Sequence, residues 1–349
     1  MPAGPVSSPL GLPLARRPGG RLQVGSSPRS GGVAGPFAEA DLAALLSREG
    51  PGTGTSARRA QRVLDDLVSV GAVPAGRVRS GAEALAATPA TAAWGPDALA
   101  WAAYDPSGPV AAERLRVRRS AVVAVVGCGR TGAALLPVLA AAGVGGLLAQ
   151  DPAPVTAGDT GPVGARPEEV GLARGAVALN RARRLAERLH PVPGVPGAEP
   201  ARADLVVLVD HHAADAVAAD GLVAEGVPHL SVVLRDTDAL VGPLVLPGTT
   251  PCLRCLDLHR TDADPGWPGV RDRFAAAAAG GAVEETATAA ALAGLAALQV
   301  LSHLDGARPA ALGTTLELLL PEGVVQQRRW SPHPQCGCLD LPVAEPVPR

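Results

Sequence analysis

Four of the five cysteines come in two close pairs, Cys252 and Cys255 in "PCLRCLDLH" and Cys336 and Cys338 in "PHPQCGCLD". Brought together, they supply four thiolates, the donor set of a closed tetrahedral zinc site. Four sulfurs leave no coordination position for water, so such a metal would be structural and would pin the tail to the segment after the sheet. His259 and His333 stand ready as substitute ligands. The competing reading is four packed or reactive thiols. An odd count clustered as C-x-x-C and C-x-C fits metal ligation in a reducing compartment better than a disulfide framework, which points to a cytoplasmic protein.

A second cluster is "GCGRTG", which places Gly127, Gly129 and Gly132 as G-x-G-x-x-G. In a nucleotide-binding turn the first glycine permits the sharp exit from a strand. The second lets the backbone approach a phosphate, and the third allows close helix–strand packing. The helix N-terminus that follows offers unpaired N–H groups and a partial positive charge to an anion. Arg130 sits inside the loop, where it would either grip a phosphate or obstruct the pocket. Asp151 closes the next strand, where an acid bonds ribose hydroxyls. The plainer reading is a glycine turn kept for packing alone. Cys128 reads as a small packed residue, since nothing in sequence marks it as activated.

Other residue types narrow the chemistry. The chain has no lysine, which excludes a lysine nucleophile, a Schiff base and a P-loop lysine. Net charge is -2, without the basic surplus of a nucleic-acid binder, and the arginines of 114–119 read as a solvated face. His211 and His212 beside Asp210 are the only acid/base candidates for a nicotinamide-linked oxidoreductase, and they read as loop residues at a strand end. The prolines of residues 1–20 break any signal-peptide core, and Ala287–Leu301 is too short to span a bilayer.

These residues need elements to hold them. Ala121–Val126, Gly146–Gln150, "ADLVVLVD" ending at Asp210, and "HLSVVL" read as strands separated by helical stretches. The alternation predicts an α/β, Rossmann-like, doubly wound and mostly parallel sheet with helices on both faces. "ALVGPLVLPG", "TTLELLL" and "VVQQRRW" predict an antiparallel extension, with a long Ala-rich helix over about Glu284–Leu304 between them. The helix "EEVGLARGAVALNRARRLAERLHP" stops at Pro191. Residues 113–349 thus read as one nucleotide-binding domain with a zinc-binding tail. Residues 1–36, rich in Pro, Gly and Ser, read as a disordered or loosely ordered tail. Residues 37–112 read as a small helical or winged-helix-like unit. Ser56 caps its second helix, Gly71 ends it, and the stretch around Trp94, Trp101 and Tyr104 stays unassigned.

In order, the pieces are the glycine turn, Asp151, "VGLAR" with Arg174, Asp210, "PGTTPCLRC", the Ala-rich helix and "CGC". The series resembles the ThiF/MoeB/ubiquitin-activating (E1-like) superfamily over about Val117–Leu339, nearly two-thirds of the chain. The resemblance implies an ATP-dependent, Mg²⁺-dependent adenylyltransferase. Such an enzyme activates the C-terminal carboxylate of a peptide or small carrier protein and releases pyrophosphate. It implies that Asp210 holds the metal, that Arg174 stands where the family has a phosphate-binding lysine, and that Asp151 holds the ribose. Family members are often homodimers. The sequence also departs from the pattern. The usual D-x-D-x-V-x-x-S-N-L-x-R-Q becomes "DPAPVTAGDTGPV", with Asp159 for the asparagine and Pro162–Val163 for the arginine and glutamine. His211 replaces the asparagine after the metal-binding acid. The strings around both cysteine pairs are similar to actinobacterial ThiF-family proteins and to E1-like partners of azole-forming cyclodehydratases. In those partners the fold is a catalytically degenerate scaffold, and an N-terminal winged-helix unit binds a precursor peptide.

Overall fold

The computed structural model describes residues 14–26, 32–46, 54–70, 97, 100–101, 111–189, 203–278 and 284–340. The chain divides into two compact units, Met1–Arg116 and Val117–Arg349. In the first unit, Leu14–Arg17 (β1), Arg21–Val24 (β2) and Val33–Ala34 (β3) form an antiparallel sheet in the order β1-β2-β3. The sequence predicts a disordered or loosely ordered tail over residues 1–36, and these strands depart from it. The strands exist because Leu22 and Val24 point into a core shared with two helices, Glu39–Leu45 (α1) and Thr55–Ser69 (α2). Four residues give too few repeats of the two-residue period to register against the surrounding Pro and Gly. Leu42, Leu45, Val63, Leu64 and Leu67 complete that core. Gly54, not Ser56, stands at the N-cap of α2, and Ser56 lies within its first turn. Gly71, Trp94, Tyr104 and Pro191 lie outside the described residues, while Trp101 is buried.

Helix α3 spans Ala111–Ser120. Only half of its arginines form a solvated face: Arg116 and Arg119 are exposed, but Arg114 and Arg118 are buried. Arg118 donates Nε and Nη2 to the two carboxylate oxygens of Asp305 at 2.7 and 2.6 Å, and Nη1 to the Ala142 carbonyl. A bidentate pair of this kind tolerates burial because each charge meets its complement.

The large sheet has seven strands in the order β10-β9-β8-β7-β6-β4-β5. Val122–Val126 (β4) leads through the glycine turn into Arg130–Ala141 (α4) and returns as Gly146–Gln150 (β5). Arg174–Leu189 (α5) crosses to Leu205–His211 (β6), and Ala216–Ala224 (α6) to His229–Leu234 (β7). These four strands pair in parallel. Asp238–Val245 (β8) then turns back antiparallel. Two helices the sequence reading did not place follow it, Leu253–Ala263 (α7) and Trp267–Ala278 (α8). Thr286–Leu304 (α9) precedes the antiparallel pair Thr314–Leu319 (β9) and Val324–Arg329 (β10).

Strand alternation sorts the two faces. Val207 and Val209 of β6 join the core built with α4, α5 and α9, whereas Val206 and Leu208 join the core built with α6 and α7. Helix α9 is apolar and long enough to cross a bilayer by composition. One of its faces, including Leu292, Ala296 and Val300, is buried in the sheet core, the pattern of a core helix.

Candidate functional site

Strand order reverses around β4, whose neighbours are β5 on one side and β6 on the other. In open α/β sheets ligands bind at the carboxyl ends of the strands at such a point. Gly127 lies there with φ +86°, and a Cβ on it would strike the Val209 carbonyl of β6. A Cβ on Gly132 would strike the Gly127 carbonyl. Both positions are therefore closed to any side chain by backbone contact, which explains two of the three glycines.

Gly129 is different, because its Cβ would meet a carboxylate, that of Glu284. Glu284 Oε2 accepts hydrogen bonds from the Thr131 N–H and the Thr131 hydroxyl, both at 2.6 Å. Oε1 lies 3.1 Å from Nε2 of His211. Thr131 is the second residue of α4, so an internal carboxylate occupies the helix N-terminus that the glycine turn offers to an anion. Burial would raise the Glu284 pKa, but the bonds from His211 and Thr131 outweigh it and hold the carboxyl below its usual range. The next residue caps a different helix. Glu285 accepts from the N–H groups of Ala287 and Thr288 and starts α9. Two adjacent glutamates thus terminate two helices. By sequence Glu284 opens the Ala-rich helix, whereas the helix starts at Thr286. The signal for its role is its place just before a second acid able to cap.

Arg130 does not project from the loop as a free cation. Its guanidinium donates to the carbonyls of Glu284 and Thr160 and to the Thr286 hydroxyl. It ties the glycine turn to the start of α9. Asp151 faces the turn, where Oδ2 accepts from the Cys128 N–H at 2.8 Å and Oδ1 from the Ala153 N–H. The Cys128 thiol is pushed up to about 12 by burial and by the Asp151 charge, which keeps it a packed, unreactive group.

A small cleft beside the turn is lined by Cys128, Gly129, Asp159, Arg174 and Arg181, among others. Arg174 opens α5 and pairs with Asp159 through Nε and Nη2 at 3.0 and 2.8 Å. Burial raises the Asp159 pKa, but the Thr156 and Arg174 donors outweigh it and leave it lowered. Asp210 sits at the end of β6, with Oδ2 accepting from the Asp215 N–H. Burial pushes its pKa up to about 6, although that N–H and His211 pull against it. A divalent cation would offset that cost, as at other buried carboxylates able to ligate a metal. The structure thus gathers Gly127, Gly129, Gly132, Asp151 and Arg174 at the ends of β4 and β5, with Asp210 one strand across.

The cysteine pairs converge as well. Cys252 Sγ lies 3.5 Å from Cys336 and 3.9 Å from Cys255, and Cys255 lies 3.4 Å from Cys338. All four sulfurs fall within 4.8 Å of one another. A tetrahedron of sulfurs about 2.3 Å from zinc has edges of about 3.8 Å, so the donor set and its spacing could hold the ion. Cys255 is pushed down to about 4, chiefly because Cys252 donates to it, and the Cys252 thiol is pushed up in turn. His259 and His333 stay outside this set. His333 Nε2 bonds Asp262, and His259 Nε2 lies 3.0 Å from the Ser331 carbonyl.

The ThiF family model matches residues 104–338. The chain belongs to the ThiF family. A search of the curated proteins finds no match. Among solved structures, E. coli MccB with ATP is 16% identical and covers 94% of this chain and 97% of that one, with a TM-score of 0.61. The microcin C7 biosynthetic enzyme MccB in complex with N-formylated MccA is 15% identical, covering 93% and 97%, with a TM-score of 0.62. PaaA is 14% identical, covering 70% and 84%, with a TM-score of 0.52. At these identities the likeness is one of fold.

Proposed function

We propose that the protein is an ATP-dependent adenylyltransferase that activates the C-terminal carboxylate of a peptide, in the biosynthesis of a ribosomally made, modified peptide. The observation that carries the reading is a ThiF-family sheet with an acid, Asp210, at its switch point beside the glycine turn. Solved relatives of the same fold with ATP and with the peptide MccA support it. In this reading Asp210 holds Mg²⁺, Asp151 faces the ribose, and Arg174 contacts phosphate. Gly129 lets the nucleotide approach the backbone. Bound ATP with Mg²⁺ supplies the electrophilic α-phosphorus and the pyrophosphate leaving group. The chain's residues hold that phosphate, orient the carboxylate and offset charge on the departing oxygens. In this reading the four cysteines hold a structural Zn²⁺ as thiolates, a donor set that suits a reducing compartment.

A second reading, a scaffold that binds a precursor peptide without turnover, is favoured by two contacts. Glu284 fills the anion position of α4, and Asp159 engages Arg174. The sheet and helix pair of residues 14–70 have the parts of a winged-helix peptide-binding unit. ATP–pyrophosphate exchange with candidate peptides separates the readings. Exchange that Asp210→Ala abolishes supports the enzyme. Absence of both exchange and ATP binding leaves the scaffold.

A further inference from the structure

Across the sheet from the glycine turn lies a second cleft that the proposed reaction leaves unused. One wall is the 212–216 loop, which begins two residues past Asp210 and is fixed to it by the Asp215 N–H. The other walls carry Ser231, Arg235, Asp257, Arg260, Trp267 and Arg271. Three guanidiniums therefore face one carboxylate. Arg235 is taken by Asp238, which accepts from its Nε and Nη2, and Arg271 by Asp257 and Asp272. Arg260 is the most loosely paired of the three. Its nearest carboxylate is Asp257 at 3.5 Å, at the limit of a hydrogen bond, and Asp257 already accepts from Trp267 Nε1 and Arg271.

Two indoles fix Arg260 in place. Its guanidinium carbon lies 5.0 Å from the Trp267 ring centre and 5.6 Å from that of Trp330. Two of the four tryptophans in the chain thus hold one cation while its side chain stays 31% exposed. Ser231 lines the same cleft at 1% exposure, and its hydroxyl is buried without a partner. An unpaired buried hydroxyl is costly, and one that lines a cleft can be satisfied by a group bound there.

We propose that this cleft binds a side-chain carboxylate, Asp or Glu, of the acceptor peptide, with Arg260 and the Ser231 hydroxyl as its donors. Arg260, whose one carboxylate is distant and shared, can take a single added negative charge, whereas a polyphosphate would bring several charges against Asp257. Val233, Leu240, Leu253 and Leu256 beside the cations suit the methylenes of such a side chain. That the occupant is a peptide rests on the adenylation reading, which brings a C-terminus to Asp210. A side chain next to that terminus then meets the 212–216 wall.

The test uses the full chain without ATP. N-acetyl-glutamate amide, N-acetyl-glutamine amide and pyrophosphate are titrated against tryptophan fluorescence. The glutamate probe is expected to bind at least about tenfold more tightly than the glutamine probe, as for a hydrogen bond to a charged group. Arg260→Gln and Ser231→Ala should each erase most of that preference. Ser231→Ala removes only an unpaired hydroxyl and should leave the fold intact, while Arg260→Lys should retain part of the preference. Equal binding of the two amides, an unchanged preference in Arg260→Gln, or displacement of the glutamate probe by pyrophosphate overturns the proposal. ATP–pyrophosphate exchange run beside it keeps the two ideas apart. A glutamate preference without exchange under any peptide sinks adenylation and leaves the carboxylate site standing.

Discussion

The cysteine cluster and the glycine turn are the two most conspicuous motifs in the chain, and the fold treats them in opposite ways. The four sulfurs face one another within 4.8 Å. The helix N-terminus after the glycines is filled by Glu284. One site could hold a group the chain does not contain, and the other carries an internal carboxylate at the anion position. A motif specifies the donors of a site, and the rest of the fold decides whether those donors are available.

The largest effect should come from the cysteines. Cys252→Ser, or a strong chelator, should remove zinc and cost at least about 3 kcal/mol of stability, since metal binding by preformed thiolates is folding free energy. Denaturant unfolding with metal analysis reads both, and a fully stable, metal-free protein refutes the structural ion. Asp210→Asn comes next. The folded pKa of Asp210 is raised, so its burden on stability is absent below the unfolded value of 3.8 and complete above about 6. The substitution should therefore stabilise the protein by up to about 3 kcal/mol at pH 8 and by little at pH 3, at about 1.4 kcal/mol per pH unit. It should also abolish Mg²⁺-dependent nucleotide binding. A destabilised variant at pH 8 would mean that Asp210 is not burdened by burial.

Glu284→Gln sharpens the contrast directly. It weakens the charge-assisted bonds to Thr131 and should cost about 1–2 kcal/mol. It should also tighten ATP binding several-fold by removing an internal anion from the end of α4. Calorimetric titration reads the affinity, and a weaker ATP complex would assign Glu284 to nucleotide binding rather than competition. Asp159→Asn should have the smallest effect. It restores the family's residue and releases Arg174 from a partly exposed pair worth about 1 kcal/mol or less. A two- to fivefold gain in ATP affinity is expected, and no change in affinity would remove Arg174 from the phosphate site.

Much of the large domain was legible in sequence. β4 and β5 are continuous apolar runs bounded by Gly and Asp, so their limits hold to within a residue. The antiparallel pair β9–β10 follows from β-branched runs around a turn. Helices α7 and α8 were hidden because their apolar face is narrow and their charged residues, Arg260, Asp257 and Arg271, pair with each other and with Trp267. The arginines of α3 misled for a related reason. Arg118 is buried by a partner, Asp305, far along the chain, which no local window contains.

The sequence by itself determined the order along the chain of the strands in the large sheet, the glycine turn and the pairing of the four cysteines as one donor set. These follow from periodicity, backbone freedom and donor chemistry carried by neighbouring residues. Only the tertiary structure decided what each polar group faces: Glu284 in the cradle, Asp159 on Arg174, and Arg260 between two indoles, sharing Asp257 with Arg271. The Glu284–Thr131 and Arg260–Trp330 contacts join residues far apart in the chain. Their strength depends on burial and distance, which a linear pattern does not record.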